Sequence, residues 1–360
     1  MEETKKHKFR IFFNKHKVLI LSIIGVLLVA AITTGIFYIF FRTPANTVAA
    51  PSAKVVSEPA PVPVKYYSPL TGLLVADENA TKSAVTGIMI ENSTDARPQS
   101  GLKNSGIVFE AIAEGGITRF LVLYQQEKPQ LIGPVRSIRL YDAEWAAAFN
   151  TSIGHVGGSA EGLAEVRNGT YRDIDQFFNS SAYWRSTDRY APHNVYTSFE
   201  KLDKLNADKG YTSSTFTGFT RIDESPVATP DATNIQIDIS GPLFNSTYAY
   251  DAKTNSYLRS QAGAPHTDRE DGQINPKVLV ALNVDETTVM QDGSRESIIT
   301  IGSGAATIFQ NGTAQKVTWS KAGKTDQVKF TDALGKDVPL VRGQTWIVAV
   351  PNGAGDVTWQ

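Results

Sequence analysis

The longest unbroken apolar run covers residues 18–41, VLILSIIGVLLVAAITTGIFYIFF, without a charge or a proline. A helix of that length rises about 36 Å, enough to cross a hydrocarbon core of about 30 Å. Core helices of soluble domains are seldom apolar on every face, so the run predicts a transmembrane helix. A cleaved secretory signal is the rival reading. Its apolar part spans only about 7–15 residues and ends in a small-x-small site. The best such site here, Val48-Ala49-Ala50, runs directly into Pro51.

After the span, periodicity vanishes. Residues 43–65 contain five prolines, a composition that predicts an extended spacer reaching about 70 Å at roughly 3.1 Å per residue. From residue 66 short apolar runs alternate with helical patterns. Strands are expected at 85–91, 106–113, 117–125 and 152–157. Helices are expected at 140–149, 160–167 and 199–208, with Ser137 or Asp142 capping the first, Ser159 the second and Ser198 the third. Beyond about residue 215 the helices stop. Strand-like runs recur at 235–239, 247–250, 278–284, 297–301, 306–309, 316–319, 328–330 and 345–350. Turn signals separate them at 251–255, Gln291-Asp292-Gly293 and Asn311-Gly312.

The pattern therefore predicts a membrane-anchored α+β protein. Its parts are a basic tail (1–17), a transmembrane helix (18–41), a Pro-rich linker (42–65), an N-terminal mixed α/β domain (66–215) and a mostly antiparallel β-rich domain (216–360).

Charge orients this arrangement. The whole chain carries −1, but its first 17 residues hold six cations against two anions, leaving −5 for the remainder. Cations ahead of the span, with only Arg42 beside its far end, predict a cytoplasmic N-terminus and extracytoplasmic globular domains. The lack of overall basic bias argues against a nucleic-acid partner. With no cysteine among 360 residues, disulfides, thiolate metal sites, a cysteine nucleophile and a lipidated cysteine are all excluded.

Candidate chemistry gathers at strand ends and turns of the first globular segment. Arg97, Arg119, Arg136 and Arg139 are candidate anion ligands, since guanidinium groups grip carboxylate or phosphate in planar, bidentate fashion. If a helix begins at Ser137, Arg136 and Arg139 flank its N-terminus, where free N–H groups also favour an anion. Structural pairing with Glu91, Glu110 or Glu114 competes with that reading. Glu110, Glu114, His155 and His193 are candidate acids or bases. Glu110 and Glu114, four apart, share a strand face only if the pleat is regular. His155-Val156-Gly157-Gly158-Ser159 suggests an oxyanion cradle, with Ser159 more naturally a cap than a nucleophile. Asn194 completes Ala191-Pro192-His193-Asn194. In the second segment His266 and Asp268 alternate as two ligands on a strand would, too few for a metal site. No phosphate-binding loop, dinucleotide fingerprint or zinc-protease motif occurs, and no cofactor is expected.

Taken in order, SPLTG at 68–72, ENSTDARPQSGL, IVFEAIAEGGITRFL, IGPVRSIR, HVGGS, APHN and, later, YLR, HTD and GQTWI closely resemble the YerB-like family of bacterial extracytoplasmic two-domain proteins. The resemblance runs over about residues 66–351. It implies an envelope-facing protein, typically a lipoprotein, with a domain of unknown function and no reaction to carry over. This chain departs in lacking the lipidated cysteine. The expected role is binding or regulation of wall polymer or wall-synthesis proteins through an Arg/His-lined cleft. The alternative is a hydrolase or transferase acting on an anionic envelope glycan.

Overall fold

The computed structural model describes residues 2–41, 64–289 and 295–360. The Pro-rich linker up to residue 63 and the expected turn at 291–293 lie outside the described residues. Two compact units divide the chain, residues 1–63 and 64–360.

In the first unit, helix α1 (Glu2–Phe40) contains a stretch long and apolar enough to cross a membrane, with its apolar side chains exposed. It starts well ahead of the apolar run, so the basic tail is helical too. Within the apolar stretch, serine and threonine hydroxyls bond back along the helix. Ser22 Oγ donates to Val18 O (2.8 Å) and Thr34 Oγ1 to Ala30 O (2.7 Å).

The second unit is built on one large mixed sheet. In chain order its strands are β1 (Thr86–Glu91), β2 (Ile107–Glu114) and β3 (Ile117–Tyr124), then, after helix α2 (Leu140–Ala147), β4 (Ser152–Gly154). Helix α3 (Ala160–Val166) leads to β5 (Arg172–Asp173), and α4 (Phe199–Asp208) follows. A second sheet is then formed by β6 (Asn234–Asp238), β7 (Ser246–Asp251), β8 (Ser256–Gln261) and β9 (Ala264–Pro265). The chain returns to the large sheet as β10 (Val278–Val284), the hairpin β11 (Glu286–Val289) and β12 (Arg295–Ile298), and β13 (Gly302–Gln310). The last large-sheet strands are β14 (Thr313–Lys321), β15 (Lys329–Thr331) and β16 (Thr345–Pro351). Strand β17 (Asp356–Trp359) closes the small sheet beside β6.

Spatial order in the large sheet is β15-β14-β13-β10-β16-β2-β3-β1-β4-β5. Its central strands are buried on both faces, which explains why they read as continuous apolar runs. One face packs Phe109, Leu121 and Ile347 against Tyr141, Trp145 and Val166 of the α2–α3 side. The other packs Val108, Val122 and Val348 against Phe199 and Leu202 of α4 and Ile235, Ile237 and Tyr248 of the small sheet. At the β13–β14 hairpin Asn311 and Gly312 both take positive φ (57° and 81°), the geometry that an Asn-Gly turn supplies.

One expectation changes. The segments 66–215 and 216–360 share one sheet, because β16 pairs in parallel with β2 (Thr345↔Ile107 through Val348↔Glu110), and both apolar clusters draw on both segments. What shifts near residue 215 is secondary-structure content; the cores are common. The second segment is mostly antiparallel, as expected, with β16 lying parallel to both β10 and β2.

The seam is locked by a buried polar network. Glu110 and Arg259 are both fully buried and pair at 2.9 Å, while Trp346 Nε1 donates to the other Glu110 oxygen (2.9 Å). Arg259 also donates to Tyr248 Oη and, through Nε, to His266 Nδ1 (2.9 Å). Burial and the charges of Arg259 and Arg97 push His266 well below its ordinary value. It is therefore neutral, accepting at Nδ1 and donating from Nε2 to Gln99 (2.9 Å). Removing one partner of such a pair strands the other charge, at a cost of about 3–5 kcal/mol. Glu110→Gln is thus expected to lower unfolding free energy by about that amount in urea denaturation. A loss under about 1 kcal/mol would show that the pair does not hold the seam.

Candidate functional site: a charged row at the strand ends

Strand β2 ends in a β-bulge between Ile112 and Glu114. The bulge breaks the alternation, so the two carboxylates face opposite sides of the sheet. Glu110 points into the seam, whereas Glu114 meets Arg119 and Arg139 on the α2 side. Arg119, nearly buried, donates Nη2 to Glu114 Oε1 (2.7 Å) and Nη1 to Ser137 O (2.9 Å). Arg139 donates to the other Glu114 oxygen and to Ile138 O. Burial works to raise the Glu114 carboxyl, but the charges and hydrogen bonds of the two arginines outweigh it and hold it below the ordinary carboxylate range.

Glu91, at the end of β1, stands directly opposite Arg119 in the β1–β3 register, so the two share a face and extend the row. Its Oε1 lies 2.9 Å from His193 Nδ1 and 3.5 Å from Arg136 Nε, and Ser93 Oγ donates to it at 3.0 Å. Three guanidinium groups thus face two carboxylates. Within the row Glu91 Oε2 and the Nε atoms of Arg119, Arg136 and Arg139 are buried with no hydrogen-bond partner among the described residues. Buried polar atoms are normally paired, and these four unsatisfied ones are concentrated in a single row.

The row meets solvent at Glu114, Arg136 and His193, whose side chains are partly exposed, and His193 also lines a cleft of about 660 Å³ with Asp95, Pro98, Asp188, Arg189, Tyr190 and Arg269. Glu91 on Nδ1 leaves Nε2 turned outward, 3.9 Å from Asp95. Arg189 is fixed by donating to the carbonyls of Asp95 (2.7 Å) and Pro98 (2.5 Å). Arg269, from the second segment, pairs with Asp188 at 2.6 Å. Asn194 secures this loop: its Nδ2 donates to Ser186 O (3.0 Å) and its Oδ1 accepts from Arg185 (2.7 Å).

Of the residues singled out in the sequence, Arg119, Arg136, Arg139, Glu114 and His193 come together. The others do not join them. Arg97 holds Asn92 and the Leu243 carbonyl. Glu110 and His266 belong to the seam, and both Asp268 oxygens accept backbone N–H groups, from Lys103 (3.0 Å) and Glu270 (3.1 Å). His155 is fully buried between Gly157 O (2.8 Å) and Asp173 (3.1 Å). Burial tends to raise Asp173, but the hydrogen bond and charge of His155 lower it overall. The supposed cradle is filled from within, as Gly157 N–H donates to Asp175 (3.3 Å), and Ser159 caps α3 by accepting from Gly162 N–H (3.1 Å). No helix starts at Ser137. Helix α2 begins at Leu140 with Arg139 as its N-cap residue, and Arg136 and Arg139 meet the glutamates instead of flanking a free helix end. Arg189, Tyr190 and Arg269 meet at the cleft only through tertiary structure, while Glu91, expected as a structural partner for arginine, pairs with Arg136 and also holds His193.

Asp142, wholly buried in the first turn of α2, accepts the Arg139 N–H (2.9 Å). Burial pushes its carboxyl up to about 7, against that bond and the charges of Arg119 and Arg139. The folded state keeps a proton that the unfolded chain releases near pH 4, so this group lowers stability as pH rises from about 4 to 7. Asp142→Asn keeps an acceptor and removes the titration. Urea midpoints measured across that window are expected to fall less steeply with pH in the variant, and equal slopes would refute the assignment.

A family model described as protein of unknown function (DUF3048), N-terminal domain, matches residues 70–212, and its C-terminal counterpart matches residues 235–347. Over 296 residues the chain is 33% identical to the Bacillus subtilis (strain 168) protein named "Putative lipoprotein YerB", covering 80% of this chain and 87% of that protein. The crystal structure of YerB from Bacillus subtilis aligns with a TM-score of 0.72 at 31% identity, covering 82% of this chain and 100% of that one. The charged row falls within the N-terminal match and Arg259 and Arg269 within the C-terminal match; the chain belongs to the YerB-like, DUF3048 family of two-domain proteins.

Proposed function

We propose that this chain is a membrane-tethered protein of the cell envelope that binds an anionic group of a wall polymer, or of a protein that handles it, at the charged row. The observation that carries this reading is the excess of guanidinium over carboxylate in the row, together with its buried Nε donors that make no hydrogen bond among the described residues. Carboxylate and phosphate are the groups that arginine pairs recognise best. The relative's name as a lipoprotein supports attachment to a membrane. Without cysteine this chain has no thiol to lipidate, and α1 is the element suited to the same task. Its flanking charges favour a cytoplasmic N-terminus, which puts the row on the envelope side.

A second reading, a hydrolase or transferase acting on the same polymer, rests on the Glu91–His193 pair. A carboxylate on Nδ1 orients an imidazole whose Nε2 is turned to the cleft, the arrangement of a general base. Both readings are tested by co-sedimenting the full chain, in detergent micelles, with purified wall polymer. Arg136→Ala is expected to weaken retention about tenfold, equivalent to one lost charge-assisted contact. His193→Ala separates the readings: unchanged retention with lost polymer turnover supports the enzyme, and weakened retention without turnover in the wild type supports the binder. Wild-type protein that stays in the supernatant would contradict both.

A further inference from the structure

The outer face of the small sheet has a different chemistry from the charged row. A shallow groove of about 560 Å³ crosses it, and none of its lining residues carries a charged side chain. Strand register sets Thr358, Gln236, Thr247 and Ser260 side by side on four neighbouring strands. With strands about 4.8 Å apart, this hydroxyl and amide rail is about 14 Å long. One pleat repeat along the strands, about 7 Å away, Ala249 and Leu258 stand in register and form an apolar strip beside it. No hydrogen bond within the described residues uses the hydroxyls of Thr247, Ser260 or Thr358, and Gln236 gives one amide N–H to Asp238 while its carbonyl is unused. At one end Asp238 and Asp356 face each other across β6 and β17.

These features select an occupant. Two carboxylates and no lining cation disfavour nucleic acid or any polyanion. A peptide strand adds along a sheet edge through backbone groups, whereas this rail crosses four strands from the edge strand β17 inward and presents side chains, and an amphipathic helix needs a broad apolar groove. A chain of uncharged sugar rings presents hydroxyls along its rim and apolar C–H faces between them, matching a polar rail beside an apolar strip. We propose that this groove binds an uncharged stretch of a glycan, with sugar hydroxyls on Gln236, Thr247 and Ser260 and ring faces against Ala249 and Leu258. The site is independent of the charged row, and its occupancy does not depend on the function proposed for that row.

The test is calorimetric titration of the full chain, in detergent micelles, with a tetramer of N-acetylglucosamine. Saturable binding is expected for the wild type. Gln236→Ala and Thr247→Arg, both on the exposed face, are expected to weaken it about tenfold or more with unchanged thermal unfolding, and Arg136→Ala is expected to leave it intact. Absence of saturable binding by the wild type would overturn the proposal. So would binding that survives both groove variants, or that Arg136→Ala abolishes.

Discussion

The buried pair of Glu110 with Arg259 is the constraint on which the rest depends. Both groups are out of water, so each is tolerable only while the other is present. Glu110 comes from a strand of the first segment, Arg259 from the small sheet, and Trp346, which donates to the same carboxylate, from the strand that joins the large sheet in parallel. Three elements distant in sequence are held to one point. That point fixes β2, and β2 carries at its far end the bulge that delivers Glu114 to the opposite face. One strand therefore supplies a structural carboxylate to the seam and a site carboxylate to the charged row.

The row itself is a costly arrangement for a fold to keep. Arg119 and Arg139 are almost wholly buried, yet their Nε atoms, like Glu91 Oε2, have no partner among the described residues. Asp142 beneath them is pushed up to about 7. A region optimised for stability alone would pair or remove such groups. Of the row only His193 lines the cleft built from both segments, and the unsatisfied atoms behind it are what the proposed anion-binding role accounts for.

Local signals in the sequence translate well into structure. Ser159 and Ser198 cap the helices expected of them because a cap is decided by a few adjacent residues, and Asn311-Gly312 makes its hairpin for the same reason. The alternating and continuous apolar runs locate β1, β2, β3, β10 and β16 closely. Strand β8 escapes detection because Tyr257-Leu258-Arg259 carries a charge at a position that tertiary pairing buries. Sharing of one sheet by the two segments is likewise invisible, since parallel pairing of β16 with β2 joins residues more than 200 positions apart and leaves no local mark. The candidate site divides along the same line. Arg119, Arg136, Arg139, Glu114 and His193 are legible as charged residues beside Gly and Pro turns. Which of them share a face depends on a bulge, and the roles of Glu91, Arg189 and Arg269 depend on contacts across the fold. His155, His266 and Asp268 show the converse: a motif-like setting with every polar atom spent internally.

The central claim, that the row receives an anionic group, is tested most directly by nitrogen-15 NMR of arginine Nε–H signals in the full chain as soluble wall-polymer fragments are added. Arg259 Nε already donates to His266 and serves as an internal reference. The account predicts saturable shifts for Arg119, Arg136 and Arg139 Nε–H with Arg259 unmoved. Signals from the three that stay in place, while the fragments demonstrably bind elsewhere on the protein, would contradict it.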